Sequence, residues 1–527
     1  MNTTTSTDKT ALKKSLTIAT AIMMLSVFLS RVTGLVREQV IAHAGGTSTE
    51  IDAYVTAFLI PEILNHFLAG GFLSITFIPI FQRYLMQSDN EGAWRSFSNI
   101  ITAGTIVFAV VIPVSMVCTP VLLRTMGQHI ANEQTLPLTV RMTRIILPAQ
   151  LFFYWGAFFS AVQMAHHRFL WPALAPLLYN AGIILGGVLL QRAIGVEGFA
   201  WGVLGGAFAG NVLFQFIGAR SVGLRYRIRC DFSDPDLWKF LLLSLPLVFG
   251  LTMTFSNEVF FRFFGSFLGE GGTSSINYAL RTMGFVVAVF GQASGVAVYP
   301  YLTRLAIEKK FEEITSLMNR AITQIGIFSI PLSLLLIICA PQVISILYEH
   351  GHFSAASTAR TAPVFAIYMA GAFVFSAAIF VVRPFYALQK MYLPVIISTA
   401  VACVCFPLYY LTSRWWGARG IAASAVFGMA LQFALLYGVW HFKYGDRKAM
   451  WSCVRKLAFV ASISGIAAAA GWLVKSYLVT LHFGFGKLAA AMVVCAGTSA
   501  AVSAIVLVLY EVTGIKRITK IFRTGKG

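Results

Sequence analysis

Long runs of mainly apolar residues recur along the whole chain, and this feature limits the folds it can adopt. A helix needs about 20 such residues to cross the hydrocarbon core of a bilayer. The chain has fourteen runs of this kind, so we expect fourteen spanning helices. They lie near residues 15–43, 50–82, 94–122, 139–165, 170–191, 197–219, 238–268, 275–303, 318–340, 360–388, 393–413, 417–441, 454–478 and 485–511.

The composition supports a polytopic membrane protein. Of the 527 residues, 57% are hydrophobic and 11% are charged, which is too little charge to cover a soluble surface. The net charge of +20 does not indicate nucleic-acid binding, because the basic residues stand in short segments between apolar runs. The seven cysteines are scattered without a CxxC pair, so we interpret them as packing residues rather than disulfides or metal ligands.

The content of lysine and arginine alternates between high and low in successive connections between the predicted spans. The connections "AHAGGTSTE" and "GEGGTSS" have none, whereas the N-terminus and the even-numbered connections are basic. Cytoplasmic loops carry this excess of positive charge, so the pattern predicts that both termini are cytoplasmic. The first apolar run is too long for a signal peptide and has no A-x-A site at its end, so we expect it to be retained as a helix.

Short motifs recur at a constant offset along the chain. The segments "GGFLSITFIPIFQR" and "GQASGVAVYPYLTR" share Gly, Pro and Arg at equivalent positions, and "AHHRFLWP" matches "ALQKMYLP" at nearly the same offset. Such repeats are common in transporters. We therefore predict an all-α membrane protein with two six-helix lobes in a parallel pseudo-repeat, residues 1–222 and 223–445. Residues 446–527 would add two extra helices and a basic cytoplasmic tail. The equivalent pairs are Gly70 and Gly291, Pro79 and Pro300, Arg83 and Arg304, and Pro172 and Pro394.

Several charged residues fall within the predicted spans, where a charge is costly unless it faces a cavity or a partner. A structural ion pair is an alternative for each of them, for example between Glu258 and Arg262, one turn apart. Arg31 and Arg281 come from different lobes, and we expect them to face one cavity. Arginine binds phosphate oxygens in a bidentate manner, so such a cavity suits an anionic headgroup. The candidates are Arg31, Arg37, Glu38, Asp52, Glu62, Glu258, Arg262, Arg281 and Arg383.

A series of motifs also resembles one family. They are "SRVTGLVRE", "DAYVTAFLIPEIL", "FIPIF", "HRFLWPALAPLLYN", "YEHGHFS" and "RPFYALQ". In this order they resemble the MurJ (MviN) family of bacterial lipid II flippases. The resemblance implies the fold of the multidrug/oligosaccharidyl-lipid/polysaccharide exporters, with a groove for the lipid tail at the two extra helices. It also implies a substrate, undecaprenyl-pyrophosphate carrying a disaccharide-pentapeptide.

The resemblance implies a substrate site in the first lobe and at the eighth helix. The first-helix arginines of the family match Arg31 and Arg37, its second-helix aspartate matches Asp52, and its eighth-helix arginine matches Arg281. The residue before that arginine, usually aspartate, is Leu280 here.

The second predicted span departs from the family pattern. The pattern LPNLLRR-x-FAEGAF reads "IPEILNHFLAGGF" in this chain. Asn65 and His66 replace two cavity arginines, and Gly70 replaces a glutamate. We count Asn65 and His66 among the substrate-binding candidates, but a different polyprenyl-linked cargo would also explain the loss of positive charge.

We therefore expect a flippase of the bacterial inner membrane that moves lipid II to the outer leaflet by alternating access, for cell wall synthesis. The alternatives are a flippase for another polyprenyl-pyrophosphate-linked glycan and a multidrug exporter. An enzyme is not expected, because the outer connections are short and hold no clustered carboxylates or His/Cys pair. We expect a monomer without cofactor or nucleic-acid partner, in contact with membrane lipids. Ion coupling stays open, with Asn257 and Glu258 as a candidate sodium site.

Overall fold

The computed structural model describes residues 5–69, 72–126, 135–248, 253–288, 290, 293–390, 392–481 and 487–512. Every regular element in these ranges is helical, which confirms the all-α fold. The first thirteen helices are α1 (Thr5–Gly45), α2 (Thr49–Ala57), α3 (Leu59–Leu64), α4 (Phe72–Met86), α5 (Asn90–Met126), α6 (Leu136–Ile146), α7 (Ala149–Ala165), α8 (Leu170–Ile194), α9 (Glu197–Ala207), α10 (Phe214–Arg220), α11 (Pro235–Val248), α12 (Met253–Gly265) and α13 (Gly272–Val287).

Nine further helices complete the described chain, and two π-helical segments, Asn65–Ala69 and Phe208–Leu213, connect helices of the first part. The further helices are α14 (Ala293–Ile307), α15 (Phe311–Ile338), α16 (Ala340–Tyr348), α17 (Ala355–Val381), α18 (Arg383–Ala387), α19 (Tyr392–Trp416), α20 (Ala418–Lys443), α21 (Arg447–Thr480) and α22 (Lys487–Val512).

Ten helical segments of the described chain are long and apolar enough to cross a membrane, and each coincides with a predicted span. The other four predicted spans, the first two of each lobe, are also helical: α1, α2–α4, α11–α12 and α13–α14 occupy them. Three of these four are divided into shorter helices. The count of fourteen therefore stays a prediction.

The helix boundaries repeat along the chain. Helices α4 and α14 each have 15 residues, and the offset between their starts equals the offset between the starts of α5 and α15. Helices α8 and α19 each have 25 residues and are related by nearly the same offset. The offset that the motifs indicate thus also relates the secondary structure, which confirms the predicted pseudo-repeat.

Left-handed backbone conformations recur at this offset as well. Non-glycine residues adopt positive φ rarely, because Cβ clashes with the carbonyl oxygen. Here two pairs of non-glycine residues and one pair of glycines, all with positive φ, end or separate equivalent helices in the two halves, so the repeat extends to the turn geometry. The pairs are Ser88 and Lys309 (φ 59° and 56°), His167 and Gln389 (57° each), and Gly195 and Gly417 (61° and 58°).

The chain divides into two compact units, Met1–Ser274 and Ser275–Gly527. In the first unit an aromatic-rich core around Phe77, Phe97 and Phe158 packs α4, α5 and α7 together. In the second unit, α21 and α22 pack on α15 and α16, where the Tyr510 hydroxyl donates to the Ile327 carbonyl at 2.9 Å. The predicted division at residues 222 and 445 stays a prediction.

Helices α8 and α9 approach closely through glycines four residues apart. Gly182 and Gly186 lie on α8 and face Gly202 and Gly206 on α9. A Cβ on Gly202 would lie 2.7 Å from the Gly182 carbonyl oxygen, inside van der Waals contact. Such small-residue stripes let helix backbones meet in membranes. This packing positions α8, which supplies a polar residue to the site described next.

Candidate functional site

Arg37 on α1 is held by two side chains. Its Nη1 donates to Asn180 Oδ1 on α8 at 3.0 Å, and its Nε donates to Glu38 Oε1 at 3.2 Å. Glu38 is 3% exposed and Arg37 is 19% exposed, so the pair is shielded from the surroundings. Arg37 and Glu38 form an ion pair, so part of the arginine charge is offset by its neighbour.

Asn180 ties the two helices together. Its Nδ2 donates to the Ser30 carbonyl oxygen and to Thr33 Oγ1, each at 3.2 Å, while its Oδ1 accepts the hydrogen bond from Arg37. A buried amide with all these partners fixes its own orientation. The Arg37 guanidinium is therefore preorganised on α1.

Arg31 and Arg37 have different environments. Six residues of an α-helix correspond to about 600°, which leaves the two side chains about 120° apart around the axis. Arg31 is exposed, whereas Arg37 packs against α8. The two predicted site arginines therefore do not share one face of α1.

Asp52 lies in the first turn of α2 and accepts two backbone hydrogen bonds. Its Oδ2 accepts a hydrogen bond from Gly271 N, and its Oδ1 accepts one from Ser274 N, each at 2.7 Å. Both donors belong to the start of α13, so the carboxylate caps that helix and complements its dipole. In this structure Asp52 connects the two helix starts, and a role in substrate binding stays a prediction.

Arg262 on α12 is a buried cation with acidic partners. Its Nη1 donates to Glu258 Oε2 at 2.8 Å, and its Nη2 lies 3.8 Å from Glu62 Oε1. Its Nε donates to the Val55 carbonyl at 3.2 Å, which connects α12 to α2. The predicted Glu258–Arg262 pair is confirmed. With two carboxylates close by, Arg262 adds little net positive charge to this region.

Asn65 and His66 begin the π-helical segment between α3 and α4. The His66 ring stacks on Phe255 of α12, with ring centroids 3.8 Å apart and planes at 14°. π-Helical turns are rare and often occur at functional sites. The two residues that replace the family arginines thus lie where the helix is irregular. Gly70 lies outside the described residues.

The remaining candidates belong to the second unit, apart from the ion-site pair. Arg281 lies half-buried on α13, after the buried Leu280, and Arg383 begins α18. In the predicted sodium site, Asn257 is buried and Glu258 forms an ion pair with Arg262. Among the described residues, no group of three or more His, Cys, Asp or Glu side chains forms a metal site. A sodium site stays a proposal.

Two polar residues that are not among the predicted candidates join helices of the first unit. Asn180 interrupts the apolar run "LLYNAGII", and a lone amide within a span was the available signal. Asp236 accepts Arg83 Nη2 at 2.6 Å and the Tyr84 hydroxyl at 2.5 Å, which joins the start of α11 to the end of α4. The position of Arg83 between two apolar runs indicates only a charged loop, so the sequence around Arg83 does not predict its ion pair with Asp236.

Comparison with solved structures defines the class of fold. A lipid II flippase MurJ in an inward closed conformation matches with a TM-score of 0.75, covering 93% of this chain and 99% of that chain at 20% identity. A multidrug resistance MATE family transporter of the MOP superfamily, inward-facing, matches with a TM-score of 0.65, over 81% of this chain and 99% of that chain, at 16% identity. The fold is that of the MOP transporters.

Sequence comparison assigns the family. The family described as lipid II flippase MurJ matches residues 41–492, so the chain belongs to the MurJ family. A lipid II flippase MurJ from Burkholderia cenocepacia is 29% identical over 78% of this chain and 80% of that protein. A probable lipid II flippase MurJ from Synechocystis sp. is 28% identical over 87% of both chains. The predicted resemblance is confirmed.

Proposed function

We propose that the chain is a flippase that moves lipid II from the inner to the outer leaflet of the bacterial cytoplasmic membrane, for cell wall synthesis. The observation that carries this proposal is the family match over residues 41–492. That range includes Asp52, Asn65, His66 and Arg281, and it begins just after Arg37.

The site geometry supports an anionic headgroup as cargo. Asn180 and Glu38 hold the Arg37 guanidinium, so binding a phosphate would require little further ordering of this side chain. Arg31, about 1.7 turns earlier and on a different face of α1, and Arg281 on α13 stay proposed substrate residues, since each guanidinium can bind a phosphate oxygen. Alternating access would then carry the pyrophosphate across while the lipid tail stays in the bilayer.

The transport step makes and breaks no covalent bond, so we propose a transporter rather than an enzyme. The membrane potential acts on charges that move with the headgroup, at about 2.3 kcal/mol per charge per 100 mV. We further propose that both termini are cytoplasmic, that the functional unit is a monomer, and that its partners are the substrate and the surrounding lipids.

A related cargo is the second candidate. Asn65 is uncharged and the His66 ring is stacked on Phe255, so neither reproduces a pair of arginine guanidiniums. Arg262 does not replace them, because Glu258 and Glu62 offset its charge. A polyprenyl-pyrophosphate bearing a different glycan is consistent with this weaker cationic site.

Complementation separates the two candidates. The chain is expressed in a bacterium depleted of its own lipid II flippase, beside an Asn65→Arg/His66→Arg variant at equal membrane abundance. Growth with the unmodified chain supports lipid II as cargo. Growth with the double variant alone supports the related glycan, and lysis with both contradicts the flippase proposal.

A further inference from the structure

An arginine-rich cleft lies at the start of α5, apart from the candidate transport site. It has a volume of about 440 Å³ and is lined by Arg95 of α5 together with Arg225, Arg227 and Arg229 of the segment that follows α10. Asp89 and Glu91 line it as well. Four guanidiniums and two carboxylates around one cleft leave an excess of positive charge.

The arginine segment is fixed to α5 by hydrogen bonds. Arg227 N donates to Ser98 Oγ at 3.2 Å, and the Asn99 side chain exchanges two bonds with the Asp231 backbone at 2.7 and 2.9 Å. The Tyr226 hydroxyl lies 3.0 Å from Thr102 Oγ1. An irregular segment with this many anchors presents its side chains in a defined geometry.

The arginines of the cleft differ in how far their charge is compensated. Arg229 Nη2 donates to Asp231 Oδ2 at 2.8 Å, and this bond lowers the pKa of the Asp231 carboxyl, so Arg229 and Asp231 form an ion pair. Within the described chain, the guanidiniums of Arg225 and Arg227 form neither a hydrogen bond nor an ion pair. A cleft with two unpaired arginines is suited to a phosphate, which accepts bidentate hydrogen bonds.

The surroundings place the cleft at the level of lipid headgroups. The outward apolar face of α5 begins at Ile106, which is 48% exposed and lies about 12 Å along the helix from Ser98. Beside the arginines, Ile228 is 85% exposed and Phe232 is 67% exposed. Trp238 on α11 is 54% exposed and donates to the Phe232 carbonyl at 2.8 Å. Tryptophan and basic residues together are typical of the membrane interface.

We propose that this cleft binds the headgroup of an anionic phospholipid of the cytoplasmic leaflet. Arg225 and Arg227 would bind the phosphate, and Asp89 and Glu91 would accept hydrogen bonds from headgroup hydroxyls. Ile228 and Phe232 would contact the acyl chains. Phosphatidylglycerol has this chemistry, with one net negative charge and two hydroxyl groups. The site is independent of the proposed transport function, because it uses none of the transport candidates.

Native mass spectrometry of the purified full-length protein tests the proposal. Dioleoyl phosphatidylglycerol is titrated into detergent solution, and bound lipid is counted for wild type, R225Q/R227Q and the control R447Q/K448Q. The control removes the same charge from two exposed basic residues at the start of α21. We expect R225Q/R227Q to weaken phosphatidylglycerol binding about tenfold, and the control to change it less than about twofold.

Unchanged binding in R225Q/R227Q, or an equal loss in the control, would overturn the proposal. Displacement of the lipid by inorganic phosphate at equal concentration would also overturn it and would identify a soluble anion as the ligand. Phosphatidylethanolamine, whose net charge is zero, should bind more weakly, and equal binding contradicts an anionic headgroup. If R225Q/R227Q cannot be purified, R225K/R227K serves instead. It keeps the charge without the bidentate geometry, so an undiminished affinity contradicts the proposal.

Discussion

Arg37 on α1 donates to the side-chain oxygen of Asn180 on α8 at 3.0 Å. The same amide donates to the Ser30 carbonyl and to Thr33, so one side chain fixes both the turn of α1 and the guanidinium that it carries. A cation in a membrane protein is useful to an anionic substrate only if its position is maintained. Asn180 is therefore a positioning residue for the proposed headgroup site.

Replacing Asn180 by alanine should impair transport while the protein still reaches the membrane. Arg37 would lose its acceptor on α8, and its bond to Glu38 lies on the same helix and does not tie the guanidinium to α8. A hydrogen bond to a charged group contributes about 1.5–3 kcal/mol, so we expect at least about a tenfold loss of translocation rate. Translocation by the reconstituted variant is compared with wild type.

Gln191→Ala is the matched control for that variant. Gln191 also joins α8 to α1, through a longer bond of 3.4 Å from its Nε2 to the Ala44 carbonyl, at a different point along the two helices from Arg37. Its translocation rate should stay within about twofold of wild type. Equal impairment in both variants would show that general α1–α8 packing matters rather than the position of Arg37.

The contact between α8 and α9 should not tolerate a larger residue at Gly202. A Cβ there would meet the Gly182 carbonyl oxygen at 2.7 Å and Ile183 Cα at 2.8 Å, and both are backbone atoms. Gly202→Val should therefore destabilise the protein by about 1–3 kcal/mol, seen as a lower thermal unfolding midpoint in detergent. Gly205→Val, where nothing lies within 4 Å of an added Cβ, should leave the midpoint unchanged. Equal midpoints for the two variants would contradict the described packing.

The buried Arg262 should be required for stability. Replacing it by methionine removes the donor to Glu258 and to the Val55 carbonyl, so we expect a loss of about 3 kcal/mol. The ion pair of the exposed Arg141 with the half-buried Glu197, 2.6 Å apart, is the control, and Arg141→Met should cost less than about 1 kcal/mol. Both are measured by thermal unfolding. The reverse order of the two losses would refute the assignment of Arg262 as a buried structural cation.

The sequence predicted the helical class and ten of the long helices because hydropathy over about 20 residues is a strong signal. It also predicted the repeat and the Glu258–Arg262 pair, where spacing alone defines proximity. It did not predict the partners of Arg37 or Asp52. Asn180 and Arg37 are 143 positions apart in the chain, and the two amides that donate to Asp52 are 219 and 222 positions from it. Contacts at such separations depend on helix packing, which local patterns do not encode.

The orientation in the membrane is a separate prediction. Reporter domains fused after Gly223 and at the C-terminus should both report the cytoplasm, because these regions are rich in Lys and Arg. A reporter after Gly271, in a connection without either residue, should report the opposite side. The same signal at Gly271 and at the C-terminus would disprove the predicted topology.

The central claim is that this chain brings lipid II to the outer leaflet. It is tested most directly in spheroplasts whose only flippase is this chain, by adding a membrane-impermeant enzyme that cleaves lipid II at its pyrophosphate. We predict that the cleaved fraction of lipid II equals that in cells with their own flippase, and that it falls at least about tenfold in the Asn180→Ala variant. Lipid II that stays uncleaved inside the cells, although the wild-type chain is present in the membrane, would contradict the account.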